Sequence, residues 1–188
     1  MRLHYGGTYR TDADLKLRRN PQSDDVEIKD PDTRSYAVVS NLGGVLLMIL
    51  LGALVFVFGG DYFTRHAMVM GTALALLTIF PHELIHAMCY RKHVFLYLSP
   101  AKYLIFVHGT EDFSKARFIY MKILPNIIFG FIPYIAFLLK PEVFGLGVFG
   151  TLCIGMGFRD YMNILKTIDQ MPRGAKIYSS GMRHYWYK

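Results

Sequence analysis

Residues 67–90 read "AMVMGTALALLTIFPHELIHAMCY". The first half is an unbroken apolar run, and the second half carries His82, Glu83 and His86. A helix rises ~1.5 Å per residue, so roughly 20 residues cross the hydrocarbon core of a bilayer, and this segment is long enough. Ionisable side chains within such a segment are costly, and they persist where they have partners or a chemical task.

Three further segments have the length and apolarity of a span. They run from about Tyr36 to Phe58, which holds no charged residue, from Phe118 to Leu139, and from Val143 to Ile164, which carries Arg159 and Asp160. Only "KPE" joins the last two, as in a tight helical hairpin. Of the 188 residues 53% are hydrophobic, and the charges are gathered in blocks. The chain therefore reads as an all-α membrane protein with four transmembrane helices and a short cytoplasmic β-hairpin between the second and third. Residues 1–35 form a cytoplasmic N-terminal arm, 36–166 the four-helix membrane domain, and 167–188 a cytoplasmic C-terminal tail.

Lys and Arg place the ends. Seven lie before Tyr36, six between Arg91 and Lys122, and six from Arg159 onward, against one in each remaining connection, Arg65 and Lys140. Positive-inside bias puts both termini and the central loop in the cytoplasm. The formal charge of +7 follows from this asymmetry and suits anionic lipid headgroups, so no nucleic-acid partner is expected.

The arm, with seven basic and seven acidic residues and little apolar periodicity, is expected to be loosely structured. In the central loop, "HVFLYLSPAKYLIFVHG" (93–109) is rich in aromatic and β-branched residues and reads as two short strands, broken at Ser99-Pro100. That pair lies either over the site or as a loop with no part in substrate handling. The tail, with Tyr185, Trp186 and Tyr187 beside basic residues, suits either the headgroup level or a packed cap. Cys89 and Cys153 fall in apolar segments and read as small buried residues, with no disulfide.

His82, Glu83 and His86 form H-E-x-x-H. On a helix, positions i and i+4 share a face, so both imidazoles reach one zinc ion while the glutamate between them acts on water. Without a shared ion, three such groups on one buried turn are hard to satisfy. Catalytic zinc takes three protein ligands, and the soluble pattern that supplies a glycine and a third histidine on the same helix is missing from "AMCYRKH". His93 lies beyond Arg91-Lys92, Glu111 lies in a polar loop, and Glu142 belongs to the opposite side of the membrane. Asp160 lies about 9 Å inward from Lys166, against about 8 and 13 Å inward from Arg91 for His86 and His82, so antiparallel spans bring the three to one level. An ion pair with Arg159 is the alternative for Asp160, but adjacent helical residues point about 100° apart. Pro81 is expected to kink the helix just before His82 and admit water.

The stretches "PHELIHAMCY" (81–90) and "GFRDYMNILK" (157–166) are similar to the site-2 protease class of intramembrane zinc metalloproteases. More narrowly the whole chain, from "MRLHYGG" to "PRGAKIYSSGMRHYWY", resembles a family of small bacterial four-span membrane proteins described as putative zincin peptidases. The resemblance implies that His82, His86 and Asp160 hold one Zn2+ per chain, that Glu83 is the catalytic base, and that the protein lies in the bacterial cytoplasmic membrane. In one departure, Tyr161 follows Asp160 where site-2 proteases commonly have glycine.

The activity expected is zinc-dependent hydrolysis of peptide bonds in membrane-embedded or membrane-proximal proteins or peptides. Asn126 and Asn163 read either as donors to the oxyanion or substrate backbone, or as interhelical polar contacts. A catalytically idle zinc protein that serves as partner or regulator of another membrane complex is the rival reading, and Glu83→Gln separates the two. Four spans with one polar cluster give little sign of a transport path.

Overall fold

Helix α1, Thr33–Gly59, is 27 residues long, or about 40 Å. Its large apolar side chains, among them Val45, Leu46, Ile49, Leu50 and Val57, point outward, as lipid favours and water does not. The computed structural model describes residues 1–29, 33–100 and 104–188. Within these, three helical stretches are long and apolar enough to cross a membrane: Val38–Tyr62, Arg65–Met88 and Lys115–Leu139.

The second stretch is two helices, α2 (Arg65–Leu77) and α3 (Ile79–Met88), which meet at Thr78. The hydroxyl of Thr78 turns back onto the Ala75 carbonyl at 2.7 Å. The break therefore falls one turn before the kink expected at Pro81. That proline sits in the first turn of α3, where a missing N–H costs the helix little. The third stretch comprises α4 (Lys115–Asn126), a π-helical turn (Ile127–Phe131) and α5 (Ile132–Leu139).

The segment expected as a single fourth span is also divided. Helix α6 (Phe144–Met156) ends at Gly157, and α7 (Phe158–Gln170) follows. With 13 residues α6 measures about 20 Å, short of the ~30 Å hydrocarbon core. Unlike α1 it is buried along most of its length, and it packs against α1, α2, α5 and the π-helical turn. Glycines allow this. A Cβ at Gly150 would lie 2.7 Å from the Tyr134 nitrogen and 2.8 Å from the Gly130 carbonyl oxygen, and one at Gly155 would lie 2.9 Å from the Gly44 carbonyl oxygen.

The chain divides into two units, one of residues 30–82 and 123–163 and the other of residues 1–29, 83–122 and 164–188. The first is helical, with a core of Val55, Tyr134, Phe137, Phe144, Val148 and Ile154. The second holds two small sheets. In one, β1 (Arg2–Thr8) lies parallel to β3 (His93–Ser99), which pairs antiparallel with β4 (Leu104–His108). Residues 101–103, between β3 and β4, lie outside the described residues. In the other sheet the order is β2 (Val26–Glu27), β7 (Arg183–Tyr187), β6 (Lys176–Ser180), β5 (Phe113–Ser114).

The N-terminal arm therefore differs from the loose segment read in the sequence. It supplies β1 and β2 and buries Tyr9, Leu15 and Ile28. Gly6 lies under the Tyr97 ring, where a Cβ would come within 2.3 Å, so the first strand is accommodated by a residue without a side chain. The tail is likewise a packed hairpin, with Ile177 and Tyr178 in the interior. Helix α7 runs on to Gln170, past the domain limit expected at 166. Both cysteines are free thiols.

Candidate metal centre

Helix α3 begins with the turn at Thr78, so Pro81, His82 and Glu83 fall in its first two turns and His86 in its last. The ligand atoms of His82, Glu83 and His86 lie within 4.8 Å of one another. His86 is buried, and the other two are half-buried. Among the described residues this is the one group of three or more such side chains close enough to hold a metal ion.

Each side chain is held by a different element. Nδ1 of His86 lies 2.8 Å from the main-chain oxygen of Met121 on α4. A carbonyl only accepts, so Nδ1 is the ring nitrogen that donates its proton to Met121. Nε2 of His82 lies 3.1 Å from Oδ2 of Asp160 on α7. Asp160 is 8% exposed, and the same oxygen receives Nδ2 of Asn126 at 3.3 Å. Asn126 Oδ1 in turn accepts from the Tyr161 hydroxyl at 3.3 Å. Oε2 of Glu83 accepts the main-chain N–H of Val107 on β4 at 3.1 Å.

Asp160 joins this group through His82, while the three side chains whose ligand atoms lie mutually close are His82, Glu83 and His86. Two ligand atoms on a tetrahedral zinc, each at about 2.0–2.1 Å, stand about 3.3 Å apart. The observed separation of His82 Nε2 and Asp160 Oδ2 is 3.1 Å. Imidazole nitrogens with one carboxylate suit this ion, and a histidine whose second nitrogen is held by a carbonyl is the usual state of a zinc-binding imidazole.

The other carboxylates and imidazoles weighed for the third position are engaged elsewhere. His93 on β3 is exposed and lies against His4, with ring nitrogens 2.9 Å apart. Glu111 accepts the N–H groups of Arg91 and Lys92 at 2.7 and 3.0 Å and pairs with Arg117 at 2.7 Å. Burial opposes its ionisation, but these donors outweigh it and hold the carboxyl below the usual range. Glu142 is exposed in the turn before α6. Arg159 is exposed, whereas its neighbour Asp160 is buried.

Two supports were not legible as such in the sequence. Asn126 read either as an oxyanion donor or as an interhelical contact, and the structure turns its amide nitrogen onto Asp160. The Val107 amide is a main-chain group, for which no side-chain motif exists.

No curated protein and no solved structure matches the chain. A family model described as "putative zincin peptidase" matches residues 75–176, just over half of it, and spans the H-E-x-x-H helix, the β3–β4 pair and Asp160. The chain belongs to this zincin peptidase family.

Proposed function

We propose that this protein is a zinc-dependent intramembrane metallopeptidase of the site-2-protease type, cleaving membrane-embedded or membrane-proximal proteins or peptides. His82, His86 and Asp160 hold the metal, one ion per chain, and Glu83 is the catalytic base. The contact that carries the reading is the 3.1 Å approach of His82 to Asp160, which joins the H-E-x-x-H helix to a carboxylate 78 residues away.

Bound zinc supplies Lewis acidity, making water nucleophilic near neutral pH and polarising a carbonyl oxygen. Glu83 takes the proton of the attacking water on a carboxylate oxygen and delivers it to the nitrogen of the leaving amine. The Val107 N–H keeps that carboxylate beside β4. His86 is held in one tautomer by Met121, and Asp160 in one orientation by Asn126.

A helical substrate has all its amides paired and must unwind before it can be cut. Strand β4 is an edge of its sheet. Since Val107 donates to Glu83 and not to β3, the N–H of Ile105, two residues back, faces the same open side. An unwound substrate adding beside β4 brings its carbonyl to the base.

The protein is assigned to the bacterial cytoplasmic membrane, with both termini cytoplasmic. Apart from Arg34 and Arg159, the basic residues of the three Lys/Arg-rich stretches belong to one unit, which the β1–β3, β2–β7 and β5–β6 pairings draw together. This reading includes a return crossing after the third apolar stretch, for which α6 with the start of α7 is the segment proposed.

The test is metal content in detergent-purified protein. One zinc per chain, lost in both His86→Ala and Asp160→Ala, is expected. Glu83→Gln should keep the metal and lose cleavage of membrane substrates. Folded wild type that stays metal-free when zinc is supplied removes the reading, and unaltered function in Glu83→Gln favours an idle zinc protein.

A further inference from the structure

Two adjacent residues of α4 act on two different proposed ligands. An unbroken helix pairs the Met121 carbonyl with the N–H of residue 125. Residue 125 is proline, which has none, and it lies inside the helix. The Met121 carbonyl takes the Nδ1–H of His86 instead. The proline therefore leaves in place an acceptor that a regular helix would have consumed.

Asn126, the next residue, is 1% exposed. Its amide nitrogen meets Asp160, and its amide oxygen meets Tyr161. Room for this side chain comes from Gly157, where a Cβ would lie 1.6 Å from Asn126 Oδ1. A π-helical turn starts at Ile127, a local change of pitch found frequently at functional sites. A polar amide in an apolar helix is costly unless fully paired, and here both of its ends have partners.

We infer that the Pro125–Asn126 dipeptide is a positioning element for the metal ligands, Pro125 acting on His86 through the Met121 carbonyl and Asn126 acting on Asp160 directly. The inference rests on the ligand set proposed above. It differs from a packing kink or an interhelical contact in what it predicts for metal affinity.

The experiment measures three quantities on full-length protein in detergent. They are zinc affinity by competition with a chromophoric chelator, the melting temperature of metal-stripped protein, and the visible absorption of the cobalt-loaded form. Pro125→Ala restores an N–H that competes for Met121. Zinc should bind roughly 10- to 100-fold more weakly, while the metal-free melting temperature holds or rises because the helix gains a bond. A kink that serves packing alone predicts unaltered affinity.

Asn126→Leu should weaken zinc by a similar factor and shift the cobalt bands. Gly157→Ala, which keeps the asparagine but displaces its amide, should follow it. Wild-type affinity and cobalt spectrum in folded Pro125→Ala and Asn126→Leu overturn the inference. If Asp160→Ala loses the metal while these two variants keep it, the ligand set stands and the inference alone falls. If Asp160→Ala itself binds zinc like wild type, the ligand set fails, and the inference with it.

Discussion

Arg117 donates from Nη1 to Glu111 Oε1 at 2.7 Å and from Nη2 to the Cys89 carbonyl at 2.5 Å. Glu111 uses its other oxygen to receive the N–H groups of Arg91 and Lys92. The pair thus closes the C-terminal end of α3, which carries the H-E-x-x-H motif, from both sides of the chain. Arg117 and Met121 stand one helical turn apart on α4, so one face of that helix holds both the last turn of α3 and His86.

Arg117→Ala removes two donors and leaves a largely buried carboxylate without its guanidinium. The loss should be about 2 kcal/mol, read as a lowered unfolding midpoint in denaturant. Arg117→Lys should recover little, because one ammonium does not reproduce a two-pronged contact with a carboxylate and a carbonyl. Equal stability of Arg117→Lys and wild type would show that charge alone matters here.

Glu111 also gives a pH dependence of known sign. Its carboxyl is held below its ordinary value of 4.5, so the folded state binds this proton less readily than the unfolded chain. The stabilisation is complete above that value and is lost as pH falls through the lower folded value. Melting temperature measured from pH 6 downward should therefore decline less steeply in Glu111→Gln than in wild type. Parallel declines would mean that other carboxylates set the acid limb.

The H-E-x-x-H spacing was legible because α3 is a regular helix whose i and i+4 positions need no tertiary information. The contact of Asp160 with His82 agrees with the level expected for it, but the unbroken span behind that expectation is divided. The division at Gly157 was not legible, because α6 is as apolar as a span and its shortness follows from one glycine turn. The arm was missed for a different reason: β1 pairs in parallel with a strand some ninety residues away, and β2 is two residues long, so neither carries local periodicity. The role of Pro125 depends on what approaches the Met121 carbonyl, which no window of sequence contains.

Close approach around α6 separates two glycines that look alike in sequence. Gly150→Ala would push a methyl group to 2.7 and 2.8 Å from main-chain atoms of the facing helix and should cost about 1–3 kcal/mol. At Gly52 on α1 the nearest atom to a Cβ is Thr151 Cγ2 at 3.9 Å, an ordinary contact. Gly52→Ala should hold or raise stability by up to about 1 kcal/mol, since alanine favours helix. Detergent unfolding of the two variants side by side checks both signs, and a penalty at Gly52 equal to that at Gly150 would count against the packing described.

Glu83 and Val107 connect the base to the proposed substrate edge. Val107 faces Leu96 across the β3–β4 pair, but its N–H goes to Glu83 rather than into the ladder. Val107→Pro therefore removes the edge donor while sparing the bonds between the strands, a position where a sheet tolerates proline. Zinc content should stay at the wild-type level, because neither His86, His82 nor Asp160 depends on that amide. Cleavage, defined as the turnover that Glu83→Gln abolishes, should fall roughly tenfold or more, the equivalent of one directional hydrogen bond of about 1.4 kcal/mol. Phe106, one residue back, faces the opposite side of the pair, so Phe106→Leu, which keeps the amide, should leave the edge intact. Unchanged turnover in metal-loaded Val107→Pro would show that substrate does not add beside β4, and the base would then have to be approached from another side.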